Sequence, residues 1–151
     1  MRLTAKADYA LRASAELATA GAGPVKAERI AQSQAIPLKF LESILLDLKH
    51  AGLVLSQRGA EGGYRLARPA EEISLADVIR AVEGPLANVR GLPPQELEYE
   101  GSAARLQEVF IAVRASLRGV LEQVTLADLA RGELPDHVEE LTRDPDAWAR
   151  H

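Results

Sequence analysis

One helical turn of this chain carries side chains that could hydrogen-bond to a polyanion or to base edges. Lys39, Glu42 and Ser43 follow Pro37 and lie off the apolar positions of the same stretch. A lysine can donate to a phosphate or a guanine edge, a carboxylate can accept from a cytosine amino group, and a serine can do either. The plainer interpretation, an i, i+3 surface pair of Lys39 with Glu42, stays open at this point.

A second group of side chains is strongly basic. Arg58, Arg65 and Arg68 surround the glycine-rich stretch Gly59–Gly63, which holds a single acid, Glu61. An arginine at the tip of such a stretch could enter a minor groove, where narrow A·T-rich steps concentrate negative potential. Each arginine alone could equally be a solvated hairpin residue.

Catalytic and metal chemistry find little support in the composition. There is no cysteine, which excludes disulfides, zinc–thiolate sites and cysteine-ligated iron–sulfur clusters. The three histidines, His50, His137 and His151, share no ligand spacing and no triad pattern. Gly59–Gly63 lacks the lysine of a phosphate loop. We therefore expect no enzyme activity, no metal site and no cofactor.

The elements that must position these side chains run from Pro37 to Pro69. Gly52 is placed to end a helix, and a short strand, the glycine-rich tip and a second strand follow. Pro69 ends that strand because it has no amide donor. The helix is predicted from apolar residues at spacings of three and four, which form one buried stripe of Leu38, Leu41, Ile44, Leu45 and Leu48.

Two further helices are predicted before this unit, over 4–19 and 26–34, and a fourth begins at a capping box at Ser74. The fold class is therefore mainly α with a small β-hairpin wing, a winged helix-turn-helix. In that arrangement the third helix enters the major groove of double-stranded DNA. The predicted DNA-binding residues are Arg2, Lys6, Pro37, Lys39, Phe40, Glu42, Ser43, Arg58 and Arg65.

A long C-terminal helix is predicted from Ser102 to about Val124. Its apolar residues recur with heptad spacing, which favours a helix–helix seam. The predicted dimerisation residues are Leu106, Phe110, Val113, Leu117, Val120 and Val124. Four segments follow: a winged helix-turn-helix domain (1–84), a loop (85–101), the dimerisation helix with a short final helix (102–132) and an acidic, partly disordered tail (133–151). No internal repeat is evident.

The charge distribution is uneven. The net charge is −4, but residues 1–85 hold 11 Lys/Arg and 10 Asp/Glu, whereas residues 86–151 hold 7 and 12. Local clustering matters more for DNA contact than total charge. No apolar run approaches the roughly 18 residues of a membrane span, and no secretory signal is present, so we expect a cytoplasmic protein without membrane contact.

Two segments together resemble the Rrf2 family of bacterial transcription regulators, which includes IscR, NsrR and CymR. They are LTAKADYALRASAELA and IPLKFLESILLDLKHAGLVLSQRGAEGGYRLARPAEEISLADVIRAVEG. The resemblance is dense over residues 1–84 and looser through the long helix. It implies a homodimer on a palindromic operator, with Glu42 at the family's recognition-helix glutamate and Arg58 at its wing arginine. Lys39 and Phe40 lie at positions that contact DNA in relatives.

The chain departs from the family pattern in the loop LANVRGLPPQELEYEG, where sensor members place three cysteines. We expect a sequence-specific regulator, a repressor, that works without an iron–sulfur cluster. Asp8 and Arg12 are expected to form an i, i+4 pair, not a ligand site. The loop could bind a small molecule or a partner protein, or could sense nothing. The alternative function is a winged-helix protein-interaction module with little or no specific DNA binding.

Overall fold

A computed structural model describes residues 1–151. The chain forms seven α-helices and one antiparallel hairpin, which confirms the expected fold class. The elements in chain order are α1 (Ala5–Ala20), α2 (Ala27–Gln34), α3 (Leu38–His50), β1 (Val54–Gln57), β2 (Gly63–Leu66), α4 (Leu75–Glu83), α5 (Leu106–Leu121), α6 (Leu126–Arg131) and α7 (Asp136–Arg143).

Helix α1 lies at the centre of the fold, in contact with α2, α3, α4 and α6. Its buried side is lined with the small residues Ala7, Ala10 and Ala13 and ends in Leu17. Because the distance between packed helices depends on the side chains at the contact, these alanines let several helices approach one axis closely. The helix begins at Thr4, whose side-chain oxygen accepts a hydrogen bond from the Ala7 amide at 3.1 Å.

The hairpin is the wing, and it is anchored at its base by a third short segment. Its strands pair antiparallel, with Gln57 opposite Gly63. The Val25 amide donates to the Tyr64 carbonyl at 2.8 Å, and the Tyr64 amide donates back to Val25 at 2.7 Å. A Cβ atom on Gly63 would lie only 2.5 Å from the Val25 carbonyl oxygen, so this close pairing requires glycine there.

Helices α4 and α6 begin in the same way, each at a capping box. The segments ISLADVIR and VTLADLAR start at Ile73 and Val124, and in both the Ser or Thr forms a capping box with the Asp three residues later. The two segments pair with each other: Leu75 donates to Val124 and Leu126 donates to Ile73, both at 2.9 Å.

Helix α6 packs against α1, so the core extends beyond residue 84. Leu126 is fully buried and belongs to the same apolar cluster as the helices of the winged unit. The segment 102–132 therefore contributes directly to the packing of the winged helix-turn-helix.

The C-terminal region contains a helix that we did not predict. In α7 the side chain of Val138 is buried, and the ring Nε2 of His137 lies 3.0 Å from the Gly119 carbonyl on α5. The Trp148 indole donates to the Thr142 carbonyl at 2.7 Å. The expectation of a partly disordered tail missed this helix, because the many acids of the segment concealed its amphipathic spacing.

No helix in residues 1–151 combines the length and the apolar character needed to cross a membrane.

Candidate nucleic-acid interface

Helix α3 has one face in the core and one face in solvent. Its buried residues are Leu41, Ile44, Leu45 and Leu48, as the apolar spacing predicts, whereas Leu38 remains partly exposed. Pro37 lies just before the helix with a ψ of 125°. This extended conformation suits proline and starts the helix sharply.

The polar side chains predicted to read DNA all lie on the solvent face of α3. Lys39, Glu42 and Ser43 are exposed. Lys39 and Glu42 form no ion pair with each other, unlike the pair that Lys6 makes with Asp47. Both charges therefore remain available to a ligand. The alternative interpretation, that Lys39 and Glu42 only pair with each other on the surface, loses its main support.

The start of α3 is held in place by an aromatic and cationic stack. Phe40 packs edge-on against Tyr9 of α1, with ring centroids 5.4 Å apart. The Arg12 guanidinium lies over the ring of Tyr9, 4.7 Å from its centroid. The predicted pair of Arg12 with Asp8 is confirmed at 2.8 Å.

Arg12 also makes a contact that the sequence did not reveal. Its Nη1 donates to the Gln34 carbonyl at 2.6 Å, at the end of α2. The next residue, Ala35, has a φ of 51° in the left-handed region, which a non-glycine residue adopts only at some cost. Arg12 therefore fixes the tight turn between α2 and α3. In the sequence, only the spacing of Arg12 to Asp8 indicates that Arg12 has a structural role.

The wing presents its basic residues to solvent. Arg58 lies in the turn between β1 and β2, and Arg65 lies on β2 opposite Leu55. Both arginines are exposed. Arg68 lies after the strand, 3.9 Å from Asp77 of α4, so it belongs to the base of the wing and not to its tip.

The two predicted contacts near the N-terminus are differently placed. Lys6 pairs with Asp47 of α3 at 2.8 Å, so a phosphate contact by Lys6 would compete with that ion pair. Arg2 is exposed at a cavity of about 430 Å³ between the start of α1, the end of α4 and α5. The DNA contacts predicted for Lys6 and Arg2 remain predictions.

Helix α5 leaves much of its apolar surface uncovered by its own chain. None of its residues is fully buried, and Val109 is 52% and Ile111 38% exposed. The predicted seam residues are half-buried, facing partly toward their own chain: Leu106, Phe110, Val113, Leu117 and Val120. Val124 lies beyond the end of α5 and is only 2% exposed, so its place in the predicted seam is wrong.

A charged cluster joins α5 to the winged unit. Glu122, next to the end of α5, accepts from Arg80 of α4 at 2.5 Å and from Arg118 at 2.9 Å. These hydrogen bonds, first from Arg118 and then from Arg80, lower the pKa of Glu122. The hydrogen bond and the charge of Glu122 raise the pKa of Arg118 in turn.

The comparisons with known proteins agree with this geometry. The model of the Rrf2 family, described as iron-dependent transcriptional regulators, matches residues 3–132. The HTH-type transcriptional regulator CymR of Bacillus subtilis is 39% identical over 131 residues, 86% of this chain and 90% of CymR. A Mycobacterium tuberculosis protein provisionally named as an HTH-type transcriptional regulator is 52% identical over 145 residues, 95% of this chain and 90% of that protein.

Solved structures give the same result. The structure of B. subtilis CymR matches with a TM-score of 0.74 at 38% identity, covering 87% of this chain and 98% of CymR. The structure of T. potens IscR matches with a TM-score of 0.69 at 32% identity, covering 100% of this chain and 93% of IscR.

The fold, the exposed polar face of α3 and the basic wing together define the class of protein. It is a DNA-binding transcription regulator of the winged helix-turn-helix type. The chain belongs to the Rrf2 family. Its relatives are regulators and not enzymes, as the absence of a catalytic constellation led us to expect.

The family description names iron, and the donor atoms of this chain do not fit an iron–sulfur cluster. The chain has no cysteine, and no three His, Asp or Glu side chains come together in residues 1–151. Asp8 is occupied by its ion pair with Arg12. In the loop 85–101, Val89 and Leu92 instead bond to each other through their backbones at 2.9 and 3.0 Å.

Proposed function

We propose that this regulator is a homodimeric repressor that binds a palindromic DNA operator sequence-specifically and without an iron–sulfur cluster. The observation that carries the proposal is the solvent face of α3, where Lys39, Glu42 and Ser43 are exposed beside the arginine wing. Contacts to base edges specify a sequence, whereas contacts to phosphates position the protein. Lys39, Glu42 and Ser43 are suited to the first role, and Arg58 to holding the adjacent groove.

The homodimer is supported by the uncovered apolar surface of α5. Val109, with half of its side chain exposed, lies on the same side of the helix as Ala112 and Ser116, both exposed. Small and apolar residues in that pattern suit a close helix–helix contact. A two-fold pairing through α5 would present two α3 helices to half-sites about 10–10.5 base pairs apart.

Sedimentation tests the dimer directly. Val109→Glu places a charge in the proposed contact and should shift the protein to monomer, because an unpaired buried charge is costly. Glu140→Gln on the exposed surface of α7 is the control and should leave the association unchanged. A Val109→Glu protein that remains a dimer would exclude this face of α5 as the interface.

DNA selection followed by titration at defined salt tests the reading function. We expect selected sites with two-fold symmetry and specific dissociation constants of about 10⁻⁸ to 10⁻¹¹ M. Arg58→Ala should weaken specific binding by about 1–3 kcal/mol. Arg150→Ala, in the tail, should have no such effect. Equal affinity for every sequence would favour the alternative, a winged-helix module that binds a protein partner.

Two further measurements separate the remaining parts of the proposal. The freshly purified protein should lack visible iron–sulfur absorption, and an iron chelator should not change its affinity for DNA. Transcription from a promoter that overlaps the selected site should fall when the protein is added. A rise in transcription would contradict the repressor assignment while leaving specific DNA binding intact.

A further inference from the structure

Three apolar side chains of α3 are exposed and lie outside the core, Leu38, Phe40 and Leu46, and Leu46 is the most exposed of them. Leu46 is 50% exposed, whereas Leu45 and Leu48 beside it are fully buried. It is also absent from the partly buried residues that pack against the core. Single exposed leucines are common on protein surfaces, so exposure alone assigns no role.

The position of Leu46 on the helix is the second observation. It lies three residues after Ser43 and four after Glu42, so these three side chains occupy neighbouring positions on one face. The next residue, Asp47, turns toward α1 and pairs with Lys6 at 2.8 Å. Leu46 is therefore on the side of α3 that faces the groove in the proposed complex.

An exposed leucine can recognise one chemical group in the major groove of DNA, the methyl group of thymine. Only thymine carries a methyl group on its major-groove edge, and apolar side chains make contact with that methyl. The polar ends of its neighbours Glu42 and Ser43 are suited instead to the donors and acceptors of the groove. Phe40 is already packed edge-on against Tyr9.

We propose that Leu46 contacts the 5-methyl group of a thymine in each half-site and thereby helps to determine the operator sequence. The inference rests on the proposed DNA-binding function and adds a residue to it. Four residues of helix rise by about 6 Å, and bases of one strand are spaced by about 3.4 Å. The thymine should therefore lie about two base pairs from the pair that Glu42 contacts.

Replacing thymine by deoxyuracil tests this contact, because the exchange removes the methyl and leaves the base-pairing groups unchanged. Each thymine of the selected operator is replaced in turn, and the affinity of the wild type is measured. One symmetric pair of positions should lose about fourfold per half-site, which is the effect of one buried methyl group. The other positions should show little change.

The same series with Leu46→Ala completes a double-mutant cycle. This variant should bind the thymine operator more weakly but should no longer distinguish thymine from uracil at that position. Leu46→Met should keep the discrimination, because its side chain is also apolar. Leu141→Ala, a similarly exposed leucine in α7, is the matched control and should behave as the wild type. Melting curves of all variants exclude loss of folding.

The outcomes separate this inference from the function on which it rests. If the wild type selects a specific operator but no thymine-to-uracil exchange weakens binding, Leu46 does not read a methyl group. The same conclusion follows if Leu46→Ala retains the full penalty for uracil. If the wild type selects no operator at all, the proposed function itself fails, and the contact fails with it.

Discussion

The wing should be highly sensitive to one added methyl group, in the variant Gly63→Ala. Gly63 has a φ of 150°, where residues with a side chain are rare. The atoms nearest to an added Cβ belong to the Val25 backbone, with the carbonyl oxygen at 2.5 Å and the carbonyl carbon at 2.6 Å. Backbone atoms at that distance cannot rotate away, so the strand pairing itself must move.

The cost follows from the bonds that would be lost. Two backbone hydrogen bonds join Val25 and Tyr64, at 2.8 and 2.7 Å. At about 1 kcal/mol each, their loss costs about 2 kcal/mol. Backbone strain at Gly63 adds about 1 kcal/mol or more. A total of about 3 kcal/mol corresponds to a fall in melting temperature of about 6–12 °C for a chain of this length.

Thermal melting and DNA binding together provide the assay. Gly23→Ala is the matched control, because a Cβ there meets no atom within 4 Å. The control should melt with the wild type, whereas Gly63→Ala should melt lower and bind its operator more weakly, since Arg58 is carried by the displaced wing. Identical melting of both variants would refute the reasoning that the Val25 contact holds the wing.

Three other perturbations test the contacts that position the interface. Arg12→Ala removes the charge-assisted bond to the Gln34 carbonyl and should destabilise the fold by about 1.5–3 kcal/mol, with weaker operator binding in titrations. Thr125→Ala removes a capping box and should cost about 1 kcal/mol in denaturant unfolding. Glu122→Gln should be less stable than the wild type near neutral pH. Because the folded-state pKa of Glu122 is lowered, this stabilisation is present above the ordinary glutamate pKa of about 4.3 and is lost as the pH falls through the lower folded-state value.

Each of these variants has a control and an outcome that would contradict it. Arg29→Ala on α2 should leave operator binding unchanged, and equal losses in both arginine variants would mean a general charge effect. Ser102→Ala should melt with the wild type, since Ser102 makes no capping bond. Glu140→Gln should show no acid-dependent difference from the wild type. A Glu122→Gln protein whose deficit persists in acid would show that the ion pairs are not its source.

The local parts of this fold could be predicted from sequence because their signals are local. The leucine spacing of α3 predicts its buried face correctly except for Leu38, which is exposed at the start of the helix, and Gly52 ends that helix with a φ of 75°. The glycines between Gln57 and Tyr64 identify the hairpin. These patterns depend on helix and strand periodicity, which residues close together in the sequence determine, so they can be recognised without knowledge of the tertiary structure.

The parts that were missed depend on contacts between distant segments. The heptad pattern through Val124 predicts one long helix, but Val124 is withdrawn into the core by its pairing with Leu75. Likewise, the sequence spacing of Arg12 predicts its ion pair with Asp8, four residues away. The same spacing gives no sign of the hydrogen bond from Arg12 to the Gln34 carbonyl. Tertiary pairing therefore decided which apolar and charged residues were available to a partner chain or to DNA.

In the proposed dimer, the packing between the winged unit and α5 determines how far apart the two α3 helices lie. The winged unit is joined to the region after α5 by the paired backbones of Leu75 and Val124 and by the ion pair of Arg80 with Glu122. Rotation of the winged unit relative to α5 would break these bonds, so in the proposed dimer they would set the spacing of the two half-sites. Half-sites one helical turn apart tolerate little error in that spacing. In the proposed dimer, loosening these contacts should therefore broaden the half-site spacing that is bound, and the spacing accepted by variants of Glu122 measures how firmly the contacts hold.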